Sequence, residues 1–181
     1  MNGMGISFDE FEVGQRFESY RITVTEAHVV LFASLSGDFN PLHVDDTFAR
    51  KSIFGSRVAH GILTLSLMSG YLGMLVAGTA IAFLEMNVRF TLPVRIGDTI
   101  HSVIEVIDKK PSEKYKGGIV TFKSQVYNQR NEAVMEGSFT LLISKNNKAE
   151  TRNSTIDVEK RGEKVLTINP PFALVKKDKK C

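Results

Sequence analysis

The interpretation of the whole sequence depends on residues 58–84, VAHGILTLSLMSGYLGMLVAGTAIAFL, which contain no Asp, Glu, Lys or Arg. A run of this length raises the question of a membrane span. Four glycines and several hydroxyl side chains interrupt it, however, and TAIAFLEMNVRF (79–90) changes to β-branched and aromatic residues. We therefore predict a helix at about 61–77 that is buried on nearly all sides, and not a helix that spans a membrane.

Strand patterns continue from the end of this stretch to residue 144. β-branched and aromatic residues are concentrated at about 80–92, 99–108, 119–128 and 133–144. Turn-forming sequences separate these segments, including KKPSEKYKGG (109–118), which we predict to be a loop. The pattern predicts a four-stranded antiparallel meander.

A strand and a shorter helix are predicted before the apolar stretch. RFESYRITV (16–24) is rich in aromatic and β-branched residues, and Thr25 can cap a helix over EAHVVLFASLSG (26–37). His28 occupies the position at which a capping box usually has Glu, so the box is predicted to be incomplete.

The segment GDFNPLHVDD (37–46) cannot continue that helix. Pro41 has no amide hydrogen, and it disfavours the α conformation for Asn40. We therefore predict a loop with a rigid bend.

The predicted order of elements is strand, short helix, loop, long helix and then a series of strands. A helix that is apolar on nearly every side must be covered by other elements of the protein. A strongly curved antiparallel sheet around the long helix is the simplest arrangement that achieves this. We therefore predict an α+β fold, with residues 1–144 as one domain and residues 145–181 as a polar, basic extension.

Composition and charge exclude several classes of protein. With 43% hydrophobic and 24% charged residues, the chain has the composition of an ordinary globular protein. Residues 145–181 hold 10 Lys and Arg against 5 Asp and Glu, whereas residues 1–144 hold 13 against 15, so no nucleic-acid-binding face is predicted on the main domain. A single cysteine, Cys181, and the absence of a signal-peptide pattern favour a cytoplasmic protein.

Two groups of polar residues are candidates for chemistry. The first is Asp38, Asn40 and His43, on the segment bent by Pro41. Asp, Asn and Pro are common turn formers, so a purely structural role is the more frequent explanation of such a pattern. A carboxylate and an imidazole held five positions apart by a rigid bend could instead reach one water molecule and act as a general acid–base pair.

The second group is Ala59-His60-Gly61, at the predicted start of the long helix. Polar residues are common at helix ends, which again offers a structural explanation. The functional explanation is that the first turn of a helix leaves amide hydrogens unpaired, and Gly61 has no side chain to block a ligand. Its amide is therefore a candidate for binding a carbonyl oxygen that becomes enolate-like in thioester chemistry.

No cofactor or metal site is predicted. The sequence has no P-loop, dinucleotide-binding glycine motif or nucleophile elbow. Its four histidines are scattered, and His28 and His101 are expected to be structural residues rather than ligands. These observations favour chemistry that needs no cofactor.

SGDFNPLHVDDTFA (36–49) and VAHGILTLSLMSGYLG (58–73) resemble motifs of the MaoC-like, (R)-specific enoyl-CoA hydratase family, which has the hot-dog fold. The resemblance extends to FDEFEVGQRFES (8–19) and NVRFTLPVRIGDTI (87–100), so it covers roughly residues 8–144. It implies that the predicted curved sheet and central helix form a hot-dog domain.

The resemblance also implies roles for individual residues. Asp38 and His43 would activate the water, with Asn40 where the family pattern expects it. The amide of Gly61 would bind the thioester oxygen, Ser69 on the same helix would lie near the catalytic pair, and we include Asn40 and His60 among the expected substrate-binding residues.

The activity so implied is the reversible, cofactor-free addition of water to a trans-2-enoyl-CoA, giving an (R)-3-hydroxyacyl-CoA, in fatty-acid or polyhydroxyalkanoate metabolism. Similar proteins are homodimers whose sheets join edge to edge, with the site at the interface. A dehydratase for a 3-hydroxyacyl carrier protein, or for a branched or dicarboxylic acyl-CoA, would use the same residues. A non-catalytic acyl-thioester-binding module and a thioesterase are further alternatives, and the loop from Asp38 to His43 argues against both.

Overall fold

The computed structural model describes residues 5–145, in which helices pack against one antiparallel β-sheet. The helices are α1 (Glu26–Ser36), α2 (Pro41–Val44), α3 (Asp46–Ala49) and α4 (Gly61–Leu75). The strands are β1 (Arg16–Glu18), β2 (Ile22–Thr23), β3 (Ala80–Phe90), β4 (Thr99–Ser112), β5 (Gly117–Tyr127) and β6 (Ala133–Ser144). Single 3-10 turns lie at Phe8–Glu10 and Glu113–Tyr115. The predicted extension, apart from Lys145, lies outside the described residues.

The strand order is β1-β4-β5-β6-β3, and β2 also pairs with β4. Strands β4, β5 and β6 form the predicted meander, but β3 pairs with β6 instead of with β4. The prediction of a four-stranded meander is therefore wrong for its first strand. The physical reason is that segment 91–98 leads the chain away from β3. This segment forms an isolated β-bridge, between Arg95 and Val58, with the residues before α4.

Two strand boundaries also differ from the predictions. The expected loop 109–118 is mostly strand, because one tight turn ending at Lys116 in the left-handed conformation joins β4 to β5. The expected strand 16–24 is divided into β1 and β2. Between them, the main-chain amide of Ser102 donates to Ser19 Oγ, at 2.8 Å, so that a side chain replaces part of the regular ladder.

Helix α1 begins with a complete capping box, contrary to the prediction. The amide of Thr25 donates to His28 Nδ1 at 3.0 Å, and the Thr25 hydroxyl caps the amide of the same histidine. A neutral imidazole nitrogen thus supplies the acceptor that Glu usually provides.

One side of helix α4 packs against the hydrophobic core. Leu63, Leu65, Met68 and Leu72 are buried, and they share one cluster with buried residues of the sheet such as Phe122. Complete burial of side chains of this size stabilises the fold by roughly 1.5–3 kcal/mol each.

The other side of α4 is open, so the prediction of a helix buried on nearly all sides is wrong for the single chain. Ile62 and Met74 are 53% and 63% exposed, and Ser66, Ser69 and Gly73 are exposed between them. The sheet covers only one side of the helix. β3 is the last strand in the sheet order and lies next to the open side, so no further described strand covers that side. Within residues 5–145, no helix combines the length and apolar composition that crossing a membrane requires.

Candidate active site

The segment that carries Asp38 begins where α1 ends. Gly37 adopts the left-handed conformation, with φ of 77°, and its amide donates to the carbonyl of Ala33 at 2.8 Å. A residue other than glycine would be strained by roughly 1–2 kcal/mol in this conformation. The glycine therefore stops the helix cleanly and turns the exposed Asp38 away from the helix axis.

Asn40 and Pro41 then start a new helical turn instead of the predicted loop. The amide of Leu42 donates to Asn40 Oδ1 at 3.1 Å, and Pro41 fits the first helical position because no amide hydrogen is needed there. The amide of Asn40 in turn donates to Asp38 Oδ1 at 3.2 Å. Asn40 is thus a helix cap in this structure, and its expected contact with substrate stays a prediction.

His43 lies on this turn, and its hydrogen bond decides which nitrogen is available for chemistry. Nδ1 lies 2.7 Å from the main-chain carbonyl oxygen of Val58. Since a carbonyl oxygen only accepts, Nδ1 carries the proton, and in the neutral ring Nε2 keeps a free lone pair. The structure thereby presents His43 as a base through Nε2.

His60 lies against both members of the pair. Its ring stacks on the His43 ring with centroids 3.8 Å apart, and its Nε2 donates to the main-chain carbonyl of Asp38 at 2.9 Å. The side chain is 2% exposed, and among the described residues its Nδ1 has no hydrogen-bond partner. His60 is thus a buried residue packed behind Asp38 and His43, and its expected contact with substrate stays a prediction.

Gly61 is the first residue of α4, as predicted. A Cβ atom there would lie 3.1–3.2 Å from the ring of Phe90, so the absence of a side chain also permits close packing. Gly61, Thr64 and Phe90 line an apolar pocket of about 380 Å³. The unpaired amides of the first helical turn lie beside this pocket.

Ser69 lines a second, larger pocket of about 560 Å³ between the open side of α4 and β3. Its hydroxyl donates to the carbonyl of Ser66 at 3.0 Å, and within residues 5–145 it forms no hydrogen bond with Asp38 or His43. Neither Asp38 nor His43 lines either pocket. In the single chain the pair and the apolar pockets are therefore neighbouring surfaces rather than one enclosed cavity.

Comparisons with known proteins show which family the chain belongs to. Residues 10–128 match the family described as MaoC like domain. The chain belongs to this MaoC-like family. It is 33% identical over 136 residues to an (R)-specific enoyl-CoA hydratase of Rhodospirillum rubrum, covering 75% of this chain and 90% of the relative. It is 36% identical over 107 residues to a 3-hydroxybutyryl-CoA dehydratase of Methylorubrum extorquens, covering 59% and 68%.

Among solved structures, the R-hydratase PhaJ1 of Pseudomonas aeruginosa superposes on the chain with a TM-score of 0.70 and 33% identity. The superposition covers 78% of this chain and 88% of that one. The predicted α+β hot-dog fold is thereby confirmed for this MaoC-like protein.

The absence of a metal site stays a prediction, although the structure brings two of the four histidines together with Asp38. One ligand atom each of Asp38, His43 and His60 lies within 4.8 Å of the others. The two rings are stacked at an interplanar angle of 30°, however. Because a ring-nitrogen lone pair lies in the plane of its ring, stacked rings direct their lone pairs into nearly parallel planes. This arrangement does not fit a tetrahedral ion, which needs converging lone pairs.

Sequence reasoning missed the residues behind the MaoC-like site. Val58 supplies the carbonyl for His43, and Arg57 donates to Glu26 and Asp46 at 2.7–2.8 Å. Hydrogen bonds to Glu26, and then to Asp46, raise the pKa of the Arg57 guanidinium above its ordinary value. The position of Arg57, three residues before His60, was a signal that could have drawn attention to this arginine. The role of Val58 could not have been found in this way, because every residue has a main-chain carbonyl and the sequence does not show which one is used.

Proposed function

We propose that this protein is an enoyl-CoA hydratase that adds water reversibly to trans-2-enoyl thioesters to give the (R)-3-hydroxyacyl product. The observation that carries the proposal is the proximity of the Asp38 carboxylate to the His43 imidazole, whose proton is held on Nδ1. The hydratase and dehydratase names of its relatives support the same chemistry.

In the proposed reaction, His43 Nε2 takes a proton from a water molecule that the Asp38 carboxylate orients. The water oxygen forms a bond to C3 of the substrate, and the π electrons of the C2–C3 double bond move toward the thioester carbonyl. The proton is then delivered by the pair to C2. The reverse sequence removes water, so the same residues serve both directions.

The thioester carbonyl oxygen gains negative charge in this step. An amide of the first turn of α4, at Gly61, would donate a hydrogen bond to it, helped by the partial positive charge of the helix start. Ser69 stays a candidate for contact with the acyl group, since its hydroxyl lies on the exposed side of α4.

The test is to follow the loss of enoyl absorbance when purified full-length protein is mixed with crotonyl-CoA, and to determine the chirality of the product. We expect hydration with an (R) product. A folded protein that neither hydrates enoyl-CoAs nor dehydrates (R)-3-hydroxybutyryl-CoA would contradict the proposal and favour a binding module. Comparison of crotonyl-CoA with the crotonyl carrier protein, through kcat/KM, distinguishes the hydratase from the carrier-protein dehydratase.

We further propose a homodimer joined along β3. This strand pairs with β6 on one edge, and no other described strand pairs with its second edge. Ile81, Phe83, Leu84 and Met86 are 48–51% exposed along it. An uncovered apolar edge of this length would promote aggregation, whereas pairing with a second copy would bury it.

We also propose a cytoplasmic location, which the single cysteine of the sequence supports.

The dimer is tested with Leu84→Lys, and with Val13→Lys as the matched control, because Val13 is 63% exposed and the next residue, Gly14, bonds to β4, which does not pair with β3. Light scattering coupled to gel filtration should give a dimer mass for the wild type and the control. Leu84→Lys should give a monomer or a weakened dimer. An unchanged dimer in Leu84→Lys, or a monomeric wild type, would contradict an interface along β3.

A further inference from the structure

Arg57 makes a set of contacts that differs from the other ion pairs of the described chain. Its Nη1 and Nη2 donate to the two carboxylate oxygens of Glu26, both at 2.7 Å, and its Nε donates to Asp46 at 2.8 Å. Its side chain is 18% exposed, whereas the Arg and Lys side chains of the other described ion pairs are more than half exposed. All three bonds use the rigid fork of the guanidinium, which a lysine cannot reproduce.

These contacts join the two helices that flank the catalytic segment. Glu26 begins α1, whose other end leads directly to Asp38, and Asp46 begins α3, which follows the turn that carries His43. Arg57 thus spans the catalytic segment from outside, without contact to either catalytic side chain among the recorded hydrogen bonds and ion pairs.

The residue after Arg57 holds His43 in place. Val58 accepts from His43 Nδ1 at 2.7 Å, and its own amide donates to the carbonyl of Leu42 at 3.2 Å. Both bonds depend on where the main chain of Val58 lies. That position is set on one side by the fork of Arg57 and on the other by the bridge to Arg95.

We propose that Arg57 is a positioning residue for the acid–base pair: by fixing the Val58 main chain to α1 and α3, it holds the carbonyl that determines the tautomer and direction of the His43 ring. The inference rests on the proposed function, because it assigns Arg57 an effect on catalysis through His43. It predicts that loss of Arg57 reduces turnover while binding of substrate changes little.

The experiment compares Arg57→Gln with wild type in the full chain, together with Arg16→Gln as control. Arg16 also pairs with a carboxylate, Glu105, but at 3.8 Å and on an exposed strand. We expect Arg57→Gln to lower kcat by about 10- to 100-fold. A general acid–base group typically raises the rate by about 10²–10⁴-fold, and a misplaced His43 should lose part of this rate enhancement. KM should change by less than about threefold, and the control should keep wild-type values.

The decisive measurement repeats Arg57→Gln in a His43→Asn background. If Arg57 acts through His43, its loss should add less than about twofold there, because the two changes disable the same unit. The same fold-loss in both backgrounds would show a general structural role and overturn the proposal. Unchanged kcat in Arg57→Gln would overturn it too.

Separate variants of the two carboxylates keep the proposal testable if Arg57→Gln does not fold. Glu26→Gln and Asp46→Asn each remove the charge of one partner of Arg57, at side chains that are 51% and 58% exposed, so both should fold. Each should lower kcat by several-fold in the wild-type background and have little effect beside His43→Asn. Full kcat in both would overturn the role of the fork. If instead the folded wild-type protein did not hydrate crotonyl-CoA, the proposed function itself would fail, and the two failures are therefore distinguishable.

Discussion

The most direct test of the site is His43→Asn, a change that removes the proposed base and keeps its anchor. The amide nitrogen of an asparagine can donate to the Val58 carbonyl as Nδ1 does now, at 2.7 Å, but nothing replaces Nε2. Loss of a general base typically costs about 10²–10⁴ in rate. At about 1.36 kcal/mol per decade, this is roughly 2.7–5.4 kcal/mol of activation free energy.

The effect on folding should be much smaller. His43 is half-buried, and the substitution removes its stacking on His60, so we expect a cost of about 1 kcal/mol and a fall in melting temperature of a few degrees. Turnover of crotonyl-CoA and thermal melting, measured on the same preparation, separate the two effects.

Asp38→Asn provides the matched comparison because it is nearly isosteric and keeps an acceptor for the amide of Asn40. It should lose at least about two orders of magnitude in turnover. In the double variant with His43→Asn, the loss should be close to that of the slower single variant, because both groups act on one water. Turnover within a few-fold of wild type in either single variant would refute the assignment of the pair.

Three further predictions follow from other parts of the structure. Gly61→Pro should impair turnover, because it removes the amide proposed to bind the thioester oxygen; the backbone tolerates proline at a first helical position, although Phe90 must shift to admit the added ring atoms. Full activity would exclude the oxyanion role. Burial alone would raise the pKa of Asp98, but hydrogen bonds from Gln129 and from the amide of Arg95, with the charge of Arg130, outweigh it and lower the pKa. A lowered pKa in the folded state stabilises the fold at pH values above the unfolded pKa of about 3.9, and this stability is lost as the pH falls through the folded pKa. Asp98→Asn should therefore lower the melting temperature at pH 7 and make the melting temperature less sensitive to acid. Equal melting temperatures of variant and wild type at pH 7 would contradict this. Truncation after residue 146 should leave a folded, active dimer, and a large loss of stability or activity by melting, sizing and turnover would show that the boundary of the domain is misplaced.

The candidate residues of segment 37–46 could be identified because the sequence pattern that carries them is local. Asp38 and His43 are five residues apart, and the intervening Asn40 and Pro41 act through cap and turn rules that hold in any protein. What sequence reasoning mistook was the form of the bend, a helical turn and not a loop. That error left the candidate residues unchanged, because either conformation keeps both side chains on one short segment.

The support behind the pair could not be predicted because it is not local. The contact of Arg57 with Glu26 joins residues 31 positions apart, and the bond from His60 to Asp38 joins residues 22 apart. The pairing of β3 with β6 has the same origin, since strand patterns specify which side of a strand is apolar and leave the choice of partner open. Only the folded chain shows which carbonyl or carboxylate meets each donor.

The exposure of the site connects the chemistry to the proposed dimer. Asp38 is exposed in the single chain, and the pocket beside Ser69 lies between the uncovered side of α4 and β3. Hydrogen bonds to a developing enolate are strongest where water is excluded, which an open surface does not provide. A second copy seated on β3 would cover this pocket. A Leu84→Lys variant that is monomeric yet fully active would therefore separate the two proposals, by showing that one chain encloses its substrate without help.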